Sequence, residues 1–167
     1  MKDFHELIDF LNSNKLVLAT AESCTGGGIM TTLSNQGNCG DCLYIGYVTY
    51  HTEAKIKELG VKEETIRNYS LTSEEVAKEM VRGVFKHQAI NVAIATTGIT
   101  GSESMDGIQP GTVCFAWAFK HNNKINFYSE TKCFKGSPIQ MTKKASYYAL
   151  SKIKKYYKVS SKNNNDS

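Results

Sequence analysis

The stretch Ala19–Gly28, ATAESCTGGG, decides how this chain is read. It leaves the apolar run Leu16–Ala21, which reads as a buried strand. It enters Gly27–Asn35, whose spacing predicts a helix. Strands that turn into helices through glycine belong to sheets flanked by helices, and ligands gather where loops leave the carboxyl ends of such strands. Glycines bring backbone N–H groups close to a ligand, and a helix start offers free N–H groups to an anion. The turn can therefore bind phosphate, stabilise an oxyanion, or serve structure alone. Ser23, just ahead of these donors, is a sensible place for a nucleophile, which would need a base to take its proton.

Working outward, residues 3–13 place Phe4, Leu7, Ile8 and Leu11 on one helical stripe. Leu43–Tyr50 has the aromatic and β-branched content of a strand. Thr52 is positioned to cap a short helix, Glu53–Leu59, that Gly60 ends. Thr72-Ser73-Glu74-Glu75 opens a longer helix to about Lys86. Ile90–Thr97 is a second apolar strand, and 98–111 is a turn-rich loop. Thr112–Phe119 and Lys124–Phe134 predict a hairpin across His121-Asn122-Asn123. Pro138 starts a last helix reaching about Tyr157. The expected fold is α/β: a three-layer α/β/α sandwich on a mixed, mostly parallel sheet with one antiparallel hairpin. One domain is expected over 1–158, followed by a disordered tail over 159–167.

Composition narrows the function. The chain has 167 residues, 41% hydrophobic and 22% charged, an ordinary globular balance rather than a disordered one. No apolar run is long enough to span a membrane, and the start mixes charge with apolar residues, unlike a signal peptide. A cytoplasmic protein without a membrane partner is expected. The five cysteines are an odd number without a disulfide framework. Cys39-Gly40-Asp41-Cys42 lacks two further ligands at zinc spacing and reads as an incidental loop pair, so no metal or cofactor is expected. The net charge of +4 is concentrated in the lysines after Glu130, among them Lys143, Lys144, Lys152 and Lys154. No nucleic-acid motif accompanies them, and nucleic acid is not an expected partner.

Four histidines, His5, His51, His87 and His121, suggest no Ser-His-Asp arrangement. A lysine can serve as base where burial lowers its pKa, and Lys55 is one candidate among many. Tyr47 sits within the predicted strand Leu43–Tyr50.

Taken together, ATAESCTGG, GYVTYHTEAKIKELGV, ATTGITG and PGTV resemble the CinA C-terminal domain family from about Phe4 to Leu150. Its enzymatic members deamidate nicotinamide mononucleotide to nicotinate mononucleotide and ammonia without a metal, and its members commonly self-associate. The resemblance implies Ser23 as nucleophile, Lys55 as its base, and Tyr50 lining the site and assisting proton transfer. It implies a substrate-binding set of Glu22, Thr25, Gly26, Gly27, Thr97, Gly98 and Gly101, acting on a small nucleotide in a homo-oligomer. The chain departs from the family at His51 and Thr52, where the family often has Ser and Asn, and in two further places. The second glycine loop is one residue shorter, with Ser102–Gly107 and Gln109-Pro110-Gly111. Gly136-Ser137-Pro138 stands where the family's last helix opens Gly-Asp-Arg, so Pro138 and Thr142 replace its two arginines, leaving Lys135, Lys143 and Lys144 as substitutes. The departures motivate an alternative, a member that binds a pyridine nucleotide or another phosphorylated ligand without turnover.

Overall fold

The computed structural model describes residues 3–165. The element order is α1 (His5–Ser13), β1 (Leu18–Glu22), α2 (Gly28–Ser34), β2 (Leu43–Val48), α3 (Thr52–Leu59), α4 (Glu63–Tyr69), α5 (Glu74–Val84), β3 (Val92–Gly98), β4 (Thr112–His121), β5 (Lys124–Cys133), α6 (Pro138–Ser151) and α7 (Ile153–Asn165). The five strands form one sheet in the order β2-β1-β3-β4-β5. β1 pairs parallel with β2 and β3, while β4 pairs antiparallel with β3 and β5. The expected mixed sheet is therefore present, and β4 is the one reversed strand.

Period-two alternation divides the core by size. On β4, Val113, Phe115, Trp117 and Phe119 face α1, α2, α6 and α7. Their neighbours Cys114, Ala116 and Ala118 face the other way, with Ala19, Ala21, Ala93 and Ala95, against α5. The bulky face carries a wide helical layer, and the alanine face lets α5 lie close. Close approach continues between helices. A Cβ on Gly83 of α5 would sit 2.0 Å from the Leu59 carbonyl oxygen of α3.

Three differences from the sequence reading have local causes. Helix α4 was not anticipated. It buries no residue, so it leaves no apolar stripe to read. It is held from α5, where the Glu79 carboxylate accepts from the Lys62 amide at 2.8 Å and from Thr65 Oγ1 at 2.8 Å. The last helix is two helices that meet at Lys152. There the buried Trp117 indole donates to the Ala149 carbonyl at 2.8 Å, the group a continuous helix would offer to residue 153. The tail expected to be disordered from 159 is instead helical to Asn165. Ser160 is fully buried and its Oγ accepts from Asn126 at 2.9 Å. Tyr157 packs edge-on against Phe10 and Phe119. Asp166 and Ser167 lie outside the described residues.

Candidate active site

Strands β1, β2 and β3 run parallel and end on one edge of the sheet. The chain leaves β1 through α2 to reach β2 on one side, and returns through α3–α5 to β3 on the other. The ends of β1 and β3 thus form the crevice where connections diverge, the usual ligand position in such sheets. A cleft of about 640 Å³ opens there. Ser23 and Cys24 come from the first glycine turn, Lys55 and the 50–52 segment from the β2–α3 corner, and Thr97–Glu103 with Met105 from the second loop. Leu71 and Thr72, ahead of α5, close the remaining wall.

Ser23 sits directly after β1, with its amide donating to the Thr96 carbonyl at 3.0 Å. Lys55 is 2% exposed on the first turns of α3. Its Nζ donates to the Thr49 carbonyl at 2.7 Å and to the Tyr50 carbonyl at 3.0 Å. Burial holds its pKa below the ordinary 10.5. A neutral amine has two N–H bonds and one lone pair. Two carbonyls accept both N–H bonds, so the lone pair is left as a base. Cys24 is an unsuitable nucleophile beside it, because burial pushes its thiol up to about 12.

The remaining expected residues divide into two groups. Thr97, Gly98 and Gly101 line the cleft with Ser23 and Lys55. Thr97 Oγ1 donates to the Leu71 carbonyl at 2.8 Å, tying two walls together. Thr100 Oγ1 donates to the Cys24 carbonyl at 3.2 Å, tying the second loop to the first. Tyr50 contributes its carbonyl to Lys55, while its ring is 75% exposed at the mouth. Tyr50 lines the cleft, and among the described residues its hydroxyl has no hydrogen-bond partner.

Glu22, Thr25, Gly26 and Gly27 do not line the cleft. Alternation along β1 is the reason: Ser23 points with Ala19 and Ala21 toward the α5 side, and Glu22 points with Leu18 and Thr20 toward α2. The Glu22 side chain is fully buried and accepts from the Ile29 and Met30 amides at 3.0 and 3.1 Å. The start of α2 therefore already holds an anion, the protein's own. The left-handed φ values of Gly26 and Gly27, 57° and 90°, fold the turn back onto this carboxylate. Among the described residues, the amide of Cys24, which does line the cleft, has no acceptor within the protein and is free to meet an oxyanion.

Other sequence expectations resolve as follows. The cap of α3 is His51, whose Nδ1 accepts from the Glu53 amide at 3.3 Å, and Thr52 is the first helical residue. Tyr47 lies away from the cleft, with its hydroxyl 2.7 Å from His87 Nε2 and Lys86 Nζ 4.8 Å from its ring centroid. Ser137 caps α6 through a reciprocal box with Gln140, and Thr142 lies beside Gly28 across the α2–α6 contact. Lys135, Lys143 and Lys144 do not reach the cleft. Lys144 Nζ donates to the Lys135 carbonyl, and Lys143 lies 5.6 Å from the Tyr147 ring. Cleft residues outside the expected site set include Thr72, which reads only as part of a helix start, and Cys24, Leu71, Ile99 and Met105, which carry no pattern signal of their own. The same holds for the two carbonyls on Lys55, which are backbone groups.

The two cleft glycines differ in what a side chain would meet. A Cβ on Gly98 would lie 2.4 Å from the Thr112 carbonyl oxygen and 2.7 Å from Val113 Cα. Gly101 has nothing within 4 Å. Gly98→Ala should cost about 3 kcal/mol, the upper end for overpacking, while Gly101→Ala stays within about 0.5 kcal/mol of the parent. Thermal denaturation of both variants checks this. Equal Tm values would contradict the packing described.

A family model described as the CinA C-terminal domain matches residues 3–157. A CinA-like protein of Chloroherpeton thalassium is 42% identical over 127 residues, 75% of this chain and 30% of that protein. A CinA-like protein of Chlorobium limicola is 36% identical over 142 residues, 84% of this chain and 33% of that protein. The chain thus spans about a third of the length of these curated relatives. Among solved structures, the competence damage-inducible protein A (ComA) of Klebsiella pneumoniae superposes with a TM-score of 0.81 at 35% identity, covering 90% of this chain and 94% of that one. A competence-damaged protein (CinA) superfamily protein of Escherichia coli gives 0.81 at 34% identity, covering 89% and 84%.

Proposed function

We propose that this chain, which belongs to the CinA C-terminal domain family, is an amidohydrolase that converts nicotinamide mononucleotide to nicotinate mononucleotide and ammonia. The observation that carries the reading is that Ser23 and a buried, doubly tethered Lys55 line one cleft. The substrate comes from the family resemblance, and the chemistry suits the residues. An amide is a poor electrophile with a poor leaving group, and the electron-withdrawing pyridinium ring eases attack on its carboxamide.

Ser23 Oγ adds to the carboxamide carbon as Lys55 takes the hydroxyl proton. The Cys24 amide receives the oxyanion. Lys55 then returns the proton to the departing nitrogen, the C–N bond breaks, and ammonia leaves an acyl ester on Ser23. Water adds to that ester with Lys55 again as base, releasing the carboxylate and restoring Ser23.

Lys55 is the one Lys or Arg among the residues lining the cleft. A substrate phosphate therefore meets no guanidinium fork there, which favours a second reading, ligand binding without turnover. Incubation of the protein with nicotinamide mononucleotide, with ammonia release followed over time, separates the two. Release supports the hydrolase. Saturable binding by calorimetry with no release supports the second reading.

A further inference from the structure

We infer that Glu22 is a positioning residue for Ser23, acting through a buried carboxylate–hydroxyl cluster on the opposite face of the sheet. The inference rests on the hydrolase reading for the meaning of Ser23, and on geometry for the rest.

Four donors converge on the carboxylate. Thr20 Oγ1 reaches Oε1 at 3.0 Å and Thr25 Oγ1 reaches Oε2 at 2.7 Å. The Ile29 and Met30 amides complete the set at 3.0 and 3.1 Å. Thr25 Oγ1 also lies 2.7 Å from Thr96 Oγ1. A hydroxyl has one proton, and Thr25 gives its own to Glu22, so Thr96 donates to Thr25. Glu22, Thr20 and Thr96 are fully buried and Thr25 is 2% exposed. The cluster spans the end of β1, the turn, the start of α2 and the neighbouring strand β3.

Ser23 stands inside that span. Glu22 precedes it, Thr25 follows two residues later, and both are pinned to the same carboxylate cluster. The Ser23 carbonyl accepts from the Gly26 amide at 3.1 Å, closing the turn. None of the cluster's side chains lines the cleft, so substrate does not touch it. A buried carboxylate without a cation is costly, and a plain strand-to-helix turn could be capped by a smaller side chain. What this one adds is a fixed distance from the sheet to the turn that carries the nucleophile.

Thr25→Val keeps the shape and removes the hydroxyl, Thr25→Ser restores it, and Glu22→Gln replaces one acceptor by a donor. In proteins shown to be folded by circular dichroism, Thr25→Val and Glu22→Gln should lower kcat for ammonia release by roughly 10- to 100-fold, the scale of displacing a reacting group by a fraction of an ångström to an ångström. KM and the position of the pH profile should not move, because Lys55 lies outside the cluster. Thr25→Ser should recover most of the rate. The double variant Glu22→Gln/Thr25→Val should lose little more than the worse single variant, as expected for groups acting as one unit. The rate of Ser23 labelling by a small fluorophosphonate should fall in parallel with kcat.

The labelling rate keeps this test separate from the hydrolase reading. Wild-type protein that releases no ammonia overturns that reading, while the variants' labelling rates still test Glu22. If Thr25→Val does not fold, Thr96→Val cuts the same cluster at its far end and leaves the α2 amides capped. Folded variants that keep wild-type kcat and wild-type labelling, with only a lowered Tm, reduce Glu22 to a helix cap and overturn the inference.

Discussion

Ser23→Ala is expected to bring ammonia release from nicotinamide mononucleotide down to background while the protein stays folded. The substitution removes one oxygen atom at a residue that is 7% exposed at the cleft floor. No hydrogen bond within the described residues is lost with it, so stability should change by no more than about 0.5 kcal/mol. Activity should fall by roughly 1,000-fold or more, the scale of deleting one member of a nucleophile–base unit. The Cys24 thiol next door cannot take over, because burial keeps it protonated with a pKa of about 12. Ammonia assay and thermal denaturation of the same preparation check both halves. A variant with half the wild-type rate would remove Ser23 from the mechanism.

Lys55→Met carries the second large effect. It fills the same buried space with a side chain that takes no proton, so the rate should fall by roughly 100- to 10,000-fold, the range for a positioned acid–base group. The Thr49 and Tyr50 carbonyls lose their donor, which costs about 1–3 kcal/mol where no water replaces it. Relief from burying an amine works against that cost, so Tm should shift less than the lost hydrogen bonds alone imply.

The wild-type pH profile gives an independent view of the same lysine. Burial lowers the Lys55 pKa below 10.5. The base form exists above the folded value, so kcat/KM should rise with pH through that value, and the residual rate of Lys55→Met should lack this limb. Stability has a linked sign. Between the lowered folded value and 10.5, the unfolded chain holds a proton that the folded chain has released. The lysine's contribution to stability therefore rises with pH across that window and is lost as pH falls through the folded value.

How much of this was legible in the sequence depends on whether a residue acts through its pattern or its surroundings. The buried strands β1 and β3, the hairpin β4–β5 and the start of α6 at Pro138 are written in local chemistry, whereas the capping box read from Thr72–Glu75 is replaced by a cap at Ser73, one residue later. Helix α4 is not, because Glu79 of a different helix holds its start. The break at Lys152 arises from an indole on β4, and the ordered tail from Ser160 and Tyr157 finding partners far back in the chain. Inside the site, Ser23 and Lys55 were identified through family resemblance, since spacing alone left the turn open to phosphate. The structure separates what adjacent letters join. Glu22 and Ser23 are neighbours in the chain, yet alternation sends one beneath the turn and the other into the cleft. A run of glycines before a helix suggested an anion site, and the anion is Glu22 itself.

The most direct test of the central claim is a search for the acyl ester on Ser23. Protein mixed with nicotinamide mononucleotide is quenched in acid within the first turnovers, digested, and the peptide containing Ser23 is weighed by mass spectrometry. The mechanism predicts an added acyl group on Ser23 that appears with the first ammonia and is absent from Ser23→Ala. Ammonia released at the wild-type rate, with an unmodified Ser23 peptide in wild-type protein and undiminished release in Ser23→Ala, would contradict it.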